Sequence, residues 1–172
     1  MKNQIFKFFT ILTMNPNIKS AFTQWLITGY ANKQCIPIDR AGNPWVASDV
    51  KTEHFHYHDE RFYEKHLGGG QELVNVDGIR YMRLYAWGTP VEWVLHELNI
   101  DTREVNGYLK KKIIELWDTT RLNEDCFPVA DGAWKYEYRV QWQEWEVVIW
   151  YERIFYQDIQ VHFHAFIICP IK

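Results

Sequence analysis

Histidine is the residue type whose spacing in this sequence most directly suggests chemistry. His162 and His164 are separated by one residue within the run Val161–Ile168. In an extended strand, residues two apart point to the same side, so both imidazoles would project together. Imidazole binds metal ions near neutral pH, and two such rings can reach one ion. This spacing predicts a divalent metal site.

The other side of the same run is apolar. Its members alternate with the two histidines and are Ile159, Val161, Phe163, Ala165 and Ile167. A strand with one apolar side usually turns that side towards the core. We therefore expect the apolar side to pack inward. The alternative to a metal site is that both histidines lie on the solvated side of a half-exposed strand.

A second histidine group lies earlier in the chain. His54, His56 and His58 alternate with aromatic residues, so an extended backbone would place all three imidazoles on one side. Nearby carboxylates, including Asp59, could complete a metal site, whereas the plainer interpretation is polar surface. Segment 52–70 is polar and ends in three glycines, which predicts a mobile His-rich loop with at most a short strand.

Aromatic residues make up 17% of the 172 residues, with nine Trp, ten Tyr and ten Phe. Such side chains bury large areas, and Tyr and Trp add a polar group. The simplest interpretation is an aromatic core. The alternative is a binding surface for a partner, a sugar or nucleobases, for which Trp134, Trp142 and Trp150 are the candidates.

Alternation and turn signals predict the strands that would position these side chains. Trp134–Trp142 alternates aromatic or apolar with polar residues. Two further strands, 145–156 and 159–168, follow after short links, which indicates a C-terminal three-stranded antiparallel meander. Two β-hairpins are expected, one turning at Arg40–Asn43 and the other at Asp77-Gly78.

About three helices complete the prediction. One follows a strand at Ile5–Thr13 and runs from Asn15 to about Gly29. Two more begin at apparent capping boxes, where Thr89 and Asp101 are each followed three residues later by Glu. The fold class is therefore predicted as α+β, in a single domain spanning residues 1–172.

Composition narrows the function classes. The net charge of −3 leaves no overall basic footprint for non-specific nucleic-acid binding. Three widely spaced cysteines with no CxxC pair indicate neither a disulfide framework nor a zinc ribbon. No stretch approaches 18 apolar residues and the N-terminal run does not look like a signal peptide, so we expect no membrane span and a cytoplasmic protein, or a virion protein if viral.

Two short stretches carry a family resemblance. Residues 8–16, FFTILTMNP, and Val161–Ile168, VHFHAFII, resemble the first-strand motif and the His-hydrophobic-His strand of rolling-circle replication initiators and relaxases, the HUH endonucleases. Glu152, on the neighbouring predicted strand, resembles an acidic residue often found before the histidine motif. The resemblance implies that His162 and His164, with Glu152, hold a divalent cation such as Mg²⁺, Mn²⁺ or Zn²⁺ at a scissile phosphate.

The same resemblance implies a nucleophile. In that family a tyrosine on a helix attacks the phosphate and becomes covalently linked to single-stranded DNA. Tyr108, which Lys110–Lys112 follow on a predicted helix, is the candidate for that role. The lysines are otherwise explained as the solvated edge of the helix.

Two functions of different classes are therefore expected. The first is a non-catalytic interaction or assembly protein, such as a virion component, an immunity or inhibitor protein, or a complex subunit. It would use its aromatic-rich sheet to bind a protein partner or a second copy of itself. The alternative is a metal-dependent, HUH-like endonuclease that nicks single-stranded DNA.

Overall fold

The computed structural model describes residues 36–40, 42–116, 126–144 and 147–171. The strand predicted at Ile5–Thr13, the helix predicted from Asn15, and residues 8–16 of the family resemblance lie outside the described residues.

A single antiparallel sheet dominates the described part of the chain. Its order is β1-β2-β3-β4-β5-β9-β8-β7-β6. In chain order the strands are β1 (Ile36–Arg40), β2 (Asn43–Lys51), β3 (Phe55–Tyr63), β4 (Leu67–Val76), β5 (Ile79–Gly88), β6 (Cys126–Asp131), β7 (Trp134–Glu144), β8 (Val147–Tyr156) and β9 (Ile159–Ile171). Two helices, α1 (Glu92–Glu97) and α2 (Thr102–Glu115), lie between β5 and β6.

The sheet consists of two meanders that meet at one strand pair. Strands β1–β5 follow one another, as do β6–β9, and the pairing of β5 with β9 joins the two halves. The α+β prediction therefore holds only coarsely, because the described chain is mainly β with two helices. Both predicted hairpins form, as β1–β2 and β4–β5, and the last three strands form the expected meander.

The prediction of a His-rich loop at residues 52–70 is wrong. Most of this segment forms β3 and the first part of β4, and β3 pairs along its length with neighbours on both sides. The sequence pattern did not predict this interior strand, because the strand is polar and partners of its polar residues are distant in sequence. The buried carboxylate of Asp59, for example, accepts a hydrogen bond from Tyr85, which lies 26 residues later in the chain.

The three consecutive glycines are part of the sheet, not a flexible spacer. A Cβ at Gly68 would lie 2.7 Å from the indole of Trp87, and one at Gly70 would lie 2.7 Å from the Tyr85 hydroxyl. Both aromatic side chains therefore lean across β4 at positions where any other residue would collide with them.

Only one of the two predicted capping boxes forms. The Asp101 carboxylate accepts hydrogen bonds from the N–H groups of Arg103 and Glu104, and Glu104 accepts one from the N–H of Asp101. Helix α1 instead begins after Val91, with no side-chain cap. Because the N-cap position falls at Val91, Thr89 lies before the helix, where its hydroxyl is 3.4 Å from Nδ1 of His66.

The two faces of the sheet have different environments. One face, which we call the core face, packs against the helices and holds the buried cluster, with Trp150, Tyr136, Phe166 and Tyr57 from the strands and Val105, Leu109 and Ile113 from α2. The opposite face, which we call the open face, presents partly exposed side chains such as Leu84, Phe163 and Ile167. Among the described residues, neither helix is long and apolar enough to cross a membrane.

A β-bulge interrupts the alternation of β7, which the sequence predicts to be regular. The register with β8 shifts between Val140 and Trp142, so Trp142 pairs with Ile149 while Val140 pairs with Trp150. Because one extra residue reverses the alternation, Trp142 lies on the open face and Trp150 on the core face.

Candidate metal centre

The predicted metal ligands meet on the core face, where β8 and β9 pair. Glu152 is the direct cross-strand partner of His164, and His162 lies two residues further along β9 opposite Ile154. Antiparallel pairing brings side chains of directly opposite residues to within contact distance. The extended backbone of β9, predicted from sequence, is what brings all three side chains together.

From His162 onward, the direction in which β9 faces is the reverse of the prediction, whereas Val161 is buried in the core as predicted. His162 and His164 point into the core, whereas Phe163 and Ile167, predicted to pack inward, are partly exposed. Nδ1 of His164 meets the Glu152 carboxylate at 3.2 Å, which offsets part of the cost of burying this imidazole. Hydrophobicity along β9 could not predict this partner, which belongs to another strand.

The three side chains form a compact, buried set of donor atoms. One donor atom from each of Glu152, His162 and His164 lies within 4.8 Å of the other two. The exposed fractions of these residues are 0%, 2% and 7% respectively. Nδ1 of His164 lies 3.2 Å from Oε2 of Glu152, and the Tyr136 hydroxyl donates to Oε1 over 2.6 Å.

Aromatic rings hold the two imidazoles in place. The indole of Trp87 stacks on His162 at 6.3 Å and 24°, and Tyr85 meets His164 edge-on at 5.4 Å. The ring of Phe166 lies 3.9 Å from that of His164 on the other side. A metal-binding set needs side chains fixed near their binding geometry, and this packing supplies that restraint.

Two imidazoles and one carboxylate favour particular ions. Zn²⁺ is bound by such a set in catalytic sites, where a fourth position stays available for water or substrate. Imidazole also suits other transition metals, whereas Mg²⁺ prefers oxygen ligands and retains several waters. The donor set therefore fits Zn²⁺ or Mn²⁺ better than Mg²⁺.

The second histidine group lies elsewhere. His56 and His58 are on β3, on the open face, and both contact the Asp49 carboxylate, at 3.1 and 2.8 Å. His54 lies in the turn before β3, 3.2 Å from the Asp77 carboxylate. The two histidine groups therefore do not share an ion, because they are on opposite faces of the sheet. A metal at the second group stays a prediction.

The candidate nucleophile Tyr108 is not brought to the metal centre. Its ring stacks on Trp134 at 4.8 Å, four residues along β7 from Tyr138, the cross-strand partner of Glu152. Four strand residues span about 13 Å. Burial and the nearby Asp131 carboxylate raise the pKa of Tyr108 to about 12, which opposes formation of a nucleophilic phenolate.

The lysines after Tyr108 have protein partners. The Lys111 ammonium lies 2.5 Å from the Asp131 carboxylate, and Lys112 lies 2.6 Å from that of Glu115. Lys111 is exposed, which agrees with a solvated helix edge, whereas Lys112 is only 4% exposed and does not.

The three candidate tryptophans differ in how much of each ring is accessible. Trp150 is fully buried, with Phe166 stacked at 5.7 Å, so it offers no ring face to a ligand. Trp134 stacks on Tyr108 at 4.8 Å and contacts the tilted ring of Tyr156 at 4.7 Å. Trp142 is 45% exposed on the open face and is the one of the three with an accessible ring.

Sequence analysis missed a buried group of charges on the core face. Asp59 and Glu72 are cross-strand partners, and they contact Arg61 and Arg83 respectively. Burial and the nearby Glu72 raise the pKa of Asp59 to about 6. The signal available in the sequence was that Arg83 lies between Tyr81 and Tyr85 at a period of two along β5.

No protein-family model, curated protein or solved structure matches this chain.

Proposed function

We propose that this protein binds a divalent transition metal ion through Glu152, His162 and His164. The observation that carries the proposal is the close approach of three buried donor atoms, within 4.8 Å, on two paired strands. Burying imidazoles and a carboxylate together costs desolvation energy, which metal coordination would offset. Tyr136 acts as an outer partner, because its hydroxyl bond to Glu152 fixes the carboxylate orientation.

The ion would supply Lewis acidity at a buried site. A cation with an open coordination position polarises a phosphoryl or carbonyl oxygen, or lowers the pKa of bound water. The resemblance to HUH endonucleases gives the phosphodiester of single-stranded DNA as the substrate. Among the described tyrosines, Tyr85 and Tyr136 lie nearer to the cluster than Tyr108, but each donates its hydroxyl proton to a carboxylate.

Calorimetric titration of chelator-treated protein with Zn²⁺ and Mn²⁺ tests the metal site. We expect one ion per chain, with affinity weakened at least about tenfold in Glu152→Gln, which keeps the size of the side chain but removes a charged ligand. His96→Ala, an exposed histidine on α1, is the matched control and should bind like the unmodified chain. Circular dichroism would establish that each variant is folded. Absence of stoichiometric binding, or equal binding by folded Glu152→Gln, would refute the proposal.

A nicking assay separates metal binding from endonuclease activity. A labelled single-stranded oligonucleotide would be incubated with Mn²⁺ and resolved on a denaturing gel, on which a covalent protein–DNA adduct migrates slowly. Metal-dependent cleavage that disappears in Glu152→Gln would support the nuclease function. Metal binding without cleavage would eliminate the nuclease and leave the metal site intact.

A second candidate function is assembly through the open face, and an exposed apolar row on that face supports it. Leu84, Ile167, Ile149 and Trp142 are successive cross-strand partners and form an apolar row across β5, β9, β8 and β7. The exposed fractions of Leu84, Ile167 and Trp142 are 42%, 41% and 45%. A continuous exposed apolar row is typical of a protein-binding surface, and Trp is enriched in the energetically dominant part of interfaces.

Oligomeric state tests this second function. Light scattering across a concentration series should give a dimer that Ile167→Asp converts to a monomer. Ile159→Asp, at an apolar residue that is equally exposed but lies outside the row, should leave the dimer intact. A monomer at every concentration, or equal behaviour of the two variants, would count against self-assembly through this row.

A further inference from the structure

A cavity on the open face lies apart from the metal centre. It is partly open to solvent and has a volume of about 280 Å³, where the open-face side chains of β3, β4, β5 and β9 meet near the Asp77-Gly78 turn. Leu73 and Ile171 supply apolar walls, and His56, His58 and Arg80 supply the charged or polar ones. Neither the metal centre at Glu152 nor the apolar row of the open face shares a residue with this cavity.

The carboxylate of Asp49 already engages the two histidines of this cavity. Nε2 of His56 lies 3.1 Å from Oδ2 of Asp49, and Nδ1 of His58 lies 2.8 Å from the same oxygen. Nε2 of His58 is also 3.1 Å from Glu60, whose carboxylate contacts Arg40. On the β2–β3 side of the cavity, the basic side chains therefore already contact carboxylates of the protein itself.

Arg80 is different. It is the cross-strand partner of Asn75 on β4 and of Ile171 on β9, so it lies in the middle of the cavity wall. Within the described ranges, its guanidinium has neither a hydrogen bond nor an ion pair. A guanidinium presents a planar fork of donors that matches a carboxylate in two parallel hydrogen bonds.

The size and lining of the cavity define the remainder of a ligand. An apolar cavity of about 150 Å³ is large enough to hold benzene. The larger volume here accommodates a ring plus a short acidic arm, with the ring against Leu73 and Ile171 and the acid at Arg80. A few directional polar groups around an apolar surface are the usual composition of a small-molecule site.

We propose that this cavity binds a small organic acid, an aromatic or branched aliphatic carboxylate, through an ion pair with Arg80. The apolar walls contribute by removing the ligand ring from water, and the guanidinium selects the charged group. The Asp49 carboxylate lies behind the two histidines and excludes acids with a second charge at the far end, because the two negative charges would repel.

Titration with phenylacetate, followed by nuclear magnetic resonance of backbone amides, tests the site. We expect saturable shifts in β4, β5 and β9, with 2-phenylacetamide, the neutral analogue, binding at least about tenfold more weakly. Arg80→Gln should weaken phenylacetate binding by a similar factor. Arg103→Gln, at an exposed arginine on α2, is the matched control and should change nothing.

Three outcomes would overturn the proposal: no saturable binding, equal binding of the acid and the amide, or equal binding by Arg80→Gln and the unmodified chain. Glu152→Gln separates this site from the metal centre, because phenylacetate binding should persist in that variant. Failure of the metal-site proposal would therefore not affect the phenylacetate result, and failure of phenylacetate binding would not affect the metal-site proposal.

Discussion

The hydroxyl of Tyr85 donates a hydrogen bond to Oδ1 of Asp59 over 2.7 Å, although β5 and β3 are separated by β4. The phenol reaches across the intervening strand at Gly70, the cross-strand partner of both Tyr85 and Arg61. A side chain at position 70 would occupy the path of this contact. The buried carboxylate therefore depends on a glycine in another strand for its hydrogen-bond donor.

Substitution of Gly70 tests this dependence. In Gly70→Ala, the new methyl group would lie 2.7 Å from the Tyr85 hydroxyl and would also collide with the backbone oxygen of Glu60. Such overpacking typically costs about 1–3 kcal/mol. Gly107→Ala, on α2 where the added methyl meets nothing within 4 Å, should instead stabilise the protein by about 0.5–1 kcal/mol. Urea unfolding of both variants would contradict this account if their effects had the same sign.

The raised pKa of Asp59 predicts how stability changes with pH. Burial and the neighbouring Glu72 raise this pKa from 3.8 to about 6, so the folded state binds the proton more tightly than the unfolded state. The contribution of Asp59 is therefore most favourable below pH about 4 and is lost as the pH rises through 6. Relative to Asp59→Asn, the unfolding free energy of the unmodified protein should fall by up to about 3 kcal/mol between pH 4 and pH 7. Parallel pH profiles for the two proteins would contradict this prediction.

The elements that were predicted correctly are those encoded by local pattern. The Asp77-Gly78 hairpin requires a positive φ at both turn residues, and Asp77 and Gly78 have φ of 49° and 83°. The capping box at Asp101 uses side chains three residues apart. The grouping of Glu152 with His162 and His164 also follows from local pattern. A short turn joins β8 to β9, and a period of two places these side chains on the same face of the two paired strands.

Two of the errors concern partners distant in sequence, whereas the β7 bulge and the missing capping box at Thr89 are local departures from a regular pattern. Strand β3 was predicted as a loop because its charged residues have partners on other strands, such as Arg40 for Glu60 and the hydroxyl of Tyr85 for Asp59. The inward direction of His162 and His164 depends on Glu152 and on aromatic rings from β5. The bulge that moves Trp142 to the open face adds one residue to a strand with an otherwise regular period. Periodicity in one segment contains none of this information.

The His58–Asp49 contact predicts a local pH response on the open face. Burial alone would lower the pKa of His58, but hydrogen bonds to Glu60 and Asp49 outweigh it and raise this pKa above 6.5. The resulting stabilisation is present below the unfolded pKa of about 6.5 and is lost as the pH rises through the folded value. Because His58 is partly exposed, we expect less than about 1 kcal/mol. In a magnetic resonance titration, Asp49→Asn should lower the pKa of His58, whereas Asp39→Asn, on β1, should not.

The capping difference between the two helices predicts unequal effects of two similar substitutions. Asp101→Ala removes the acceptor for the N–H groups of Arg103 and Glu104 and should cost about 1 kcal/mol. Thr89→Ala should cost much less, because Thr89 caps no helix and its hydroxyl makes only a 3.4 Å contact with His66. Equal losses in urea unfolding would indicate that α1 is capped by Thr89 after all.

Replacement of Tyr108 by Phe separates a structural role from a catalytic one. The hydroxyl of Tyr108 is buried and, within the described residues, has no hydrogen-bond partner. Removing a buried, unsatisfied hydroxyl while keeping the ring stacked on Trp134 should leave the unfolding free energy unchanged or raise it by up to about 1 kcal/mol. Metal affinity should also be unchanged, because Glu152, His162 and His164 are untouched. If Mn²⁺-dependent nicking and the covalent adduct were present in the unmodified protein and absent in a stable Tyr108→Phe variant, Tyr108 would be the nucleophile despite its distance from the cluster. If nicking persisted in Tyr108→Phe, the reacting group would be another residue or a metal-bound water.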